Sequence, residues 1–122
     1  MKKIIFIAFI AFISASANAQ LANSKWKGTL QLDNPTDVVF DFRTDTLEAF
    51  VAEDNSSLEL MKYSIKDNVL SIQKISGQSE CDDTAVAKYK FEIGSDGLLL
   101  TLIEDNCIDR SGVLDNTKWV KE

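Results

Sequence analysis

Cys81 and Cys107 are the only cysteines in the chain, and they bracket a stretch that reads as a β-hairpin. Ala85, Ala87, Tyr89, Phe91 and Ile93 alternate with Val86, Lys88, Lys90 and Glu92, within an alternating run from Thr84 to Ile93. That period of two gives a strand one apolar and one wet face. The turn Gly94-Ser95-Asp96-Gly97 follows, then the apolar run Leu98 to Ile103, then Cys107-Ile108-Asp109-Arg110 and finally Trp119. A bond joining the two ends of this segment would close a loop of about 25 residues and stabilise the fold by roughly 3 to 4 kcal/mol on the chain-entropy account. The segment predicts a small antiparallel domain in an oxidising compartment, where paired thiols read as a disulfide.

The N-terminus carries the signs of export. Lys2 and Lys3 precede the apolar run Ile4 to Ile13, and Ala17-Asn18-Ala19 supplies small residues in an A-x-A pattern. A charged start, an apolar segment of about ten residues and such a site describe a secretory signal peptide over residues 1–19. The apolar run falls short of the roughly 20 residues that span a bilayer, so no transmembrane span is expected after cleavage. Residues 20–122 then form one domain, periplasmic or extracellular, with room for a single modest core.

Charge narrows the partners. The net charge is −6, and loss of Lys2 and Lys3 with the leader makes the mature domain more acidic by two. Nucleic acid and anionic membrane surfaces are bound through basic patches, so neither is expected as a partner.

The period of two continues through the rest of the domain. Trp26, Gly28, Leu30 and Leu32 share one face of a first strand, and Val38, Phe40 and Phe42 share one face of a second. Leu47 to Ala52, Leu58 to Ile65 and Val69 to Ile75 read as further strands, the middle one with a shift of apolar phase that suggests a bulge. Leu98 to Ile103 is apolar on both faces and reads as a central strand covered on both sides. A last strand is expected from Gly112 to Val120, interrupted near Asp115-Asn116, and no amphipathic helix is expected in the mature chain. Turns rich in Asp, Asn, Gly and Pro separate these runs. About eight short strands in an all-β domain predict an antiparallel up-and-down barrel, with a two-sheet β-sandwich as the alternative.

Histidine is absent, which removes Ser-His-Asp and Cys-His nucleophile pairs and the usual His-containing zinc sites. Two thiols are too few for an all-cysteine zinc site, and the acidic turns do not fit EF-hand spacing. Neighbouring acids such as Asp82-Asp83 and Glu104-Asp105 point to opposite faces of a strand and read as solvated turn charges. An enzyme is therefore not expected, nor a metal or other cofactor. Arg110, one of two arginines, has two readings: a guanidinium that crosses the barrel end to cover the indole of Trp26, or a surface charge. In the first, Trp26, Arg110 and Trp119 together close the barrel.

Several of these segments, in this order, resemble the small secreted lipocalin-like domains of bacteria. They are Trp26-Lys27-Gly28, Phe42-Arg43-Thr44-Asp45, Lys62-Tyr63-Ser64-Ile65, Ala87-Lys88-Tyr89-Lys90-Phe91 after Cys81, Cys107-Ile108-Asp109-Arg110, and Trp119. The chain departs from the pattern at Thr46 and Ala87, where glycine is usual, and it is much shorter than a true lipocalin. The resemblance implies a calycin-like barrel and export more strongly than any activity.

Two functions follow as expectations. One is a non-enzymatic binding protein that holds a small apolar or amphipathic ligand inside the barrel, lined by Leu30, Phe40, Phe42, Tyr89 and Phe91. The other is a module that meets an exported protein partner, as an inhibitor or envelope accessory factor, through the loops Asp33 to Asp37, Glu53 to Ser57 and Gln78 to Asp83, with a filled core.

Overall fold

Alternation along the chain becomes eight strands in a computed structural model that describes residues 21–122. The leader expected over residues 1–19 lies outside the described residues, as does Gln20. The strands are β1 (Ser24–Gln31), β2 (Pro35–Phe42), β3 (Thr46–Val51), β4 (Ser57–Lys66), β5 (Val69–Gly77), β6 (Val86–Gly94), β7 (Gly97–Glu104) and β8 (Thr117–Lys121). Each pairs antiparallel with the next, and β8 returns to β1 through Trp26↔Lys121 and Lys27↔Val120. The sheet is thus a closed up-and-down barrel, and the sandwich alternative falls away because no strand is left with a free edge.

Side-chain alternation decides which face turns inward. On β6, Ala87, Tyr89 and Phe91 are buried while Lys88, Lys90 and Glu92 are exposed, and on β2 the buried set is Val38, Phe40 and Phe42. The centre of the barrel is aromatic: Phe40 stacks on Trp119 with ring centroids 4.0 Å apart, and Phe42 meets both Phe40 and Tyr63 edge-on. Gly28 lies against this stack, where a Cβ would come within 2.8 Å of Trp119 Cε3. The β4–β5 connection is a two-residue turn in which Asp67 and Asn68 both have positive φ, 53° and 64°. That geometry matches the right-handed twist of the strands it joins.

Three expectations from the sequence are corrected. The bulge near Leu58 to Ile65 exists, but the inward series Glu59, Met61, Tyr63 runs through it in phase. The pairing skips Leu58 on β4 against β3 and Ile75 on β5 against β4; Leu58 still packs against the core, whereas Ile75 is 45% exposed. Leu98 to Ile103 is not covered on both sides: Leu98 and Leu100 are buried, whereas Ile103 is skipped in the pairing with β6 and is 53% exposed. Finally, Gly112 lies in a helix, α1 (Ile108–Leu114), and the last strand begins only at Thr117. A helix of seven residues with a central glycine gives almost no periodic signal and would not be stable alone. Tertiary contacts hold it, through the buried Arg110 and Leu114.

Candidate functional site

Because successive strands reverse direction, the connections β1–β2, β3–β4, β5–β6 and β7–β8 gather at one end of the barrel. Both cysteines belong to this end. Cys81 lies in the β5–β6 connection, Cys107 immediately precedes α1, and the two form the disulfide that the sequence predicts. Asp109 adds a second tie, accepting a hydrogen bond from the Glu80 backbone N–H at 3.3 Å. The helix is therefore fastened to the neighbouring loop at its N-terminal turn.

Beneath that helix lies a cavity of about 490 Å³. Its apolar wall comes from Leu30, Phe40, Ala49 and Met61 on the strands and from Val113 and Leu114 on α1. Its polar groups are Glu59, Gln78 and Ser79 on one side and Asp33, Asp109 and Arg110 at the rim and under the helix. A larger groove of about 740 Å³ runs beside the disulfide, but it lies among loop residues such as Asp82, Thr84 and Asn106 and includes none of the inward barrel positions. The cavity under α1 is the candidate site, since it combines a concave apolar surface with a few buried polar side chains.

Glu59 is the anomalous residue of this cavity. It occupies an inward position of β4, in line with Met61 and Tyr63, and is only 8% exposed. Burying a carboxylate is costly unless hydrogen bonds replace its water. Ser79 supplies two, from its Oγ to Glu59 Oε2 and from its backbone N–H to Oε1 at 3.3 Å. Gly77 makes the space: its φ is +147°, and a Cβ there would come within 2.0 Å of Glu59 Oε1.

Arg110 belongs to a second buried network. Its Nε and Nη2 donate to the two oxygens of Asp105 at 2.8 and 2.9 Å, and the Tyr89 hydroxyl donates to the same carboxylate at 2.7 Å. The Asp105 and Arg110 side chains are 0% and 4% exposed. Desolvation raises the Asp105 pKa, but hydrogen bonds from Arg110, Tyr89 and the Cys107 N–H, with the guanidinium charge, outweigh it and hold the carboxyl below its ordinary value. Desolvation, reinforced by Asp105, pushes the Tyr89 phenol well above its ordinary value, so it stays protonated and acts as a donor. Arg110 Nη1 is buried and has no hydrogen-bond partner among the described residues.

The structure keeps Trp26 and Trp119 on β1 and β8, the two strands whose pairing closes the barrel, but separates Arg110 from Trp26. Trp26 is buried near the start of β1, towards the opposite end of the barrel, and its indole N–H donates to Ser24 Oγ at 2.8 Å. Arg110 reaches Asp105 and, at 3.4 Å, the carbonyl of Ala85, so its hydrogen bonds go to oxygen atoms and not to the Trp26 indole. Trp119 stacks on Phe40 from the strand that closes the sheet. Of the expected lining, Leu30 and Phe40 border the cavity, whereas Phe42, Tyr89 and Phe91 are buried in the packed part of the barrel outside its lining. Glu59 was not singled out from the sequence, Ser79 was read only as part of the loop Gln78 to Asp83, and Asp105, read with Glu104 as a solvated turn charge, is instead buried against Arg110 and Tyr89. The signal for Glu59 was present, because counting back in steps of two from Tyr63 and Met61 lands on it.

Among the described residues no group of acids or cysteines is arranged to hold a metal ion, and no helix is long and apolar enough to cross a membrane. No family model matches the chain, and no curated protein or solved structure is detectably similar to it.

Proposed function

We propose that this protein is an exported, non-catalytic binding protein of the lipocalin-like type, which holds one small amphipathic molecule in the cavity under α1. The observation that carries the reading is a cavity of about 490 Å³ in which the inward apolar faces of the strands meet two buried charged side chains, Glu59 and Arg110. That volume lies in the range of roughly 300 to 1,000 Å³ common to small-ligand pockets. A core built only for stability would place apolar side chains at these positions, since buried ionic groups add little to net stability. The disulfide is compatible with a compartment outside the reducing cytoplasm.

The test is fluorescence titration with N-phenyl-1-naphthylamine, an uncharged probe that brightens in apolar surroundings. Saturable enhancement with one site per chain is expected. It should be lost in Ala49→Phe, which fills the cavity, while circular dichroism shows that this variant keeps its strand content. Enhancement that fails to saturate, or that is unchanged in the folded Ala49→Phe protein, overturns the reading. A second reading, recognition of an exported protein through the loops, draws on Ile108, which is 84% exposed at the start of α1 beside the disulfide groove. It gains weight if the probe does not bind and if Ile108→Asp impairs function in cells without lowering stability.

A further inference from the structure

Resting on that reading, we infer that the cavity selects amphiphiles whose head group carries a protonated amine, which Glu59 receives.

The charge balance of the cavity favours a cation. Asp33, Glu59 and Asp109 border it, and among the described residues Arg110 is the only basic side chain in its lining. The positive charge of Arg110 is already matched by Asp105 in a two-point ion pair. Lys74 lies close by and donates to the Ser79 carbonyl at 2.6 Å, yet among the described residues it makes no ion pair with Glu59. A fatty-acid carboxylate would therefore meet carboxylates, whereas an ammonium would meet an oriented one. The orientation is built in, because Ser79 donates twice to Glu59 and Gly77 leaves room for its oxygen.

Arg110 offers no competing anion site: it is 5% exposed, its Nε and Nη2 are held by Asp105, and its Nη1 is covered. An ammonium at Glu59 is the complementary group for this cavity.

The experiment is displacement of the naphthylamine probe by three single-chain amphiphiles: glycine octyl ester, octyl acetate and octanoate. The first two share the tail and the ester carbonyl and differ in the ammonium. Glycine octyl ester is expected to bind about tenfold more tightly than octyl acetate, the effect of one charge-assisted hydrogen bond, and octanoate more weakly than either. Glu59→Gln, shown by thermal melting to remain folded, should reduce the tenfold preference to about twofold or less. Equal or tighter binding of octanoate, or a preference that survives Glu59→Gln, overturns the inference while saturable probe binding leaves the cavity reading intact. Failure of the probe itself to bind overturns both.

Discussion

Asp105 bears more of this structure than its place in a loop implies. Its carboxylate accepts from Arg110, from the Tyr89 hydroxyl and, at 2.9 Å, from the backbone N–H of Cys107, so one side chain joins β6, the β7 end, the disulfide and α1. Removing its charge leaves a buried guanidinium unmatched, and Asp105→Asn is expected to lower stability at pH 7 by about 3 to 5 kcal/mol. The pH dependence has a definite sign. The folded-state pKa of Asp105 is lowered, so its contribution is present above the unfolded value of about 3.9 and is lost as pH falls through the folded value. Urea unfolding from about pH 5 down to about pH 2 should therefore show the gap between wild type and Asp105→Asn closing as acid is added. A gap that holds constant would place the contribution elsewhere. Gly28 gives a second prediction at this scale. A methyl group there would sit 2.8 Å from Trp119 Cε3 and 2.9 Å from the Lys118 carbonyl, so Gly28→Ala should destabilise by about 1 to 3 kcal/mol and disturb the tryptophan near-UV signal.

Among the elements, α1 depends most on its attachments. It has seven residues, no side-chain N-cap and a central glycine, and its N-terminal turn is tied to the β5–β6 connection by the disulfide and by Asp109. Reduction of a bridge spanning 26 residues releases unfolded-chain entropy worth roughly 3 to 4 kcal/mol. For a domain of this size that should lower the melting temperature by more than about 10 °C. Hydrogen exchange should show amides of α1 losing protection before those of the barrel strands when the protein is reduced, because the helix has few contacts of its own. Uniform loss of protection across strands and helix would mean that the bridge stabilises the barrel as a whole. The strands behave differently because each is paired on both sides. Their inward residues were legible in sequence wherever alternation was clean, as at Val38, Phe40 and Phe42, and less so around Leu58, Ile75 and Ile103, each of which a bulge leaves without a partner in one strand pairing. A bulge is decided by pairing with a neighbour, and no single strand carries that information.

At the scale of the molecule, strand count and closure set the space available. An eight-stranded barrel has an interior just large enough to be packed or to hold one small ligand. Here it does both. The end near Trp26, Phe42 and Leu98 is packed with aromatic and aliphatic side chains, and the end under α1 keeps a cavity of about 490 Å³. The alternating sequence determined the strands, their inward faces and the antiparallel order, because a period of two leaves a strand one way to bury its apolar side. It also determined which thiols pair, since the chain has only two. Only the tertiary structure decided the candidate site. Glu59 and Ser79 are 20 residues apart, and Ala85 and Arg110 are 25 apart. Such groups meet only after closure of the barrel sets strand register and loop direction, quantities that arise between chain segments and are written in none of them.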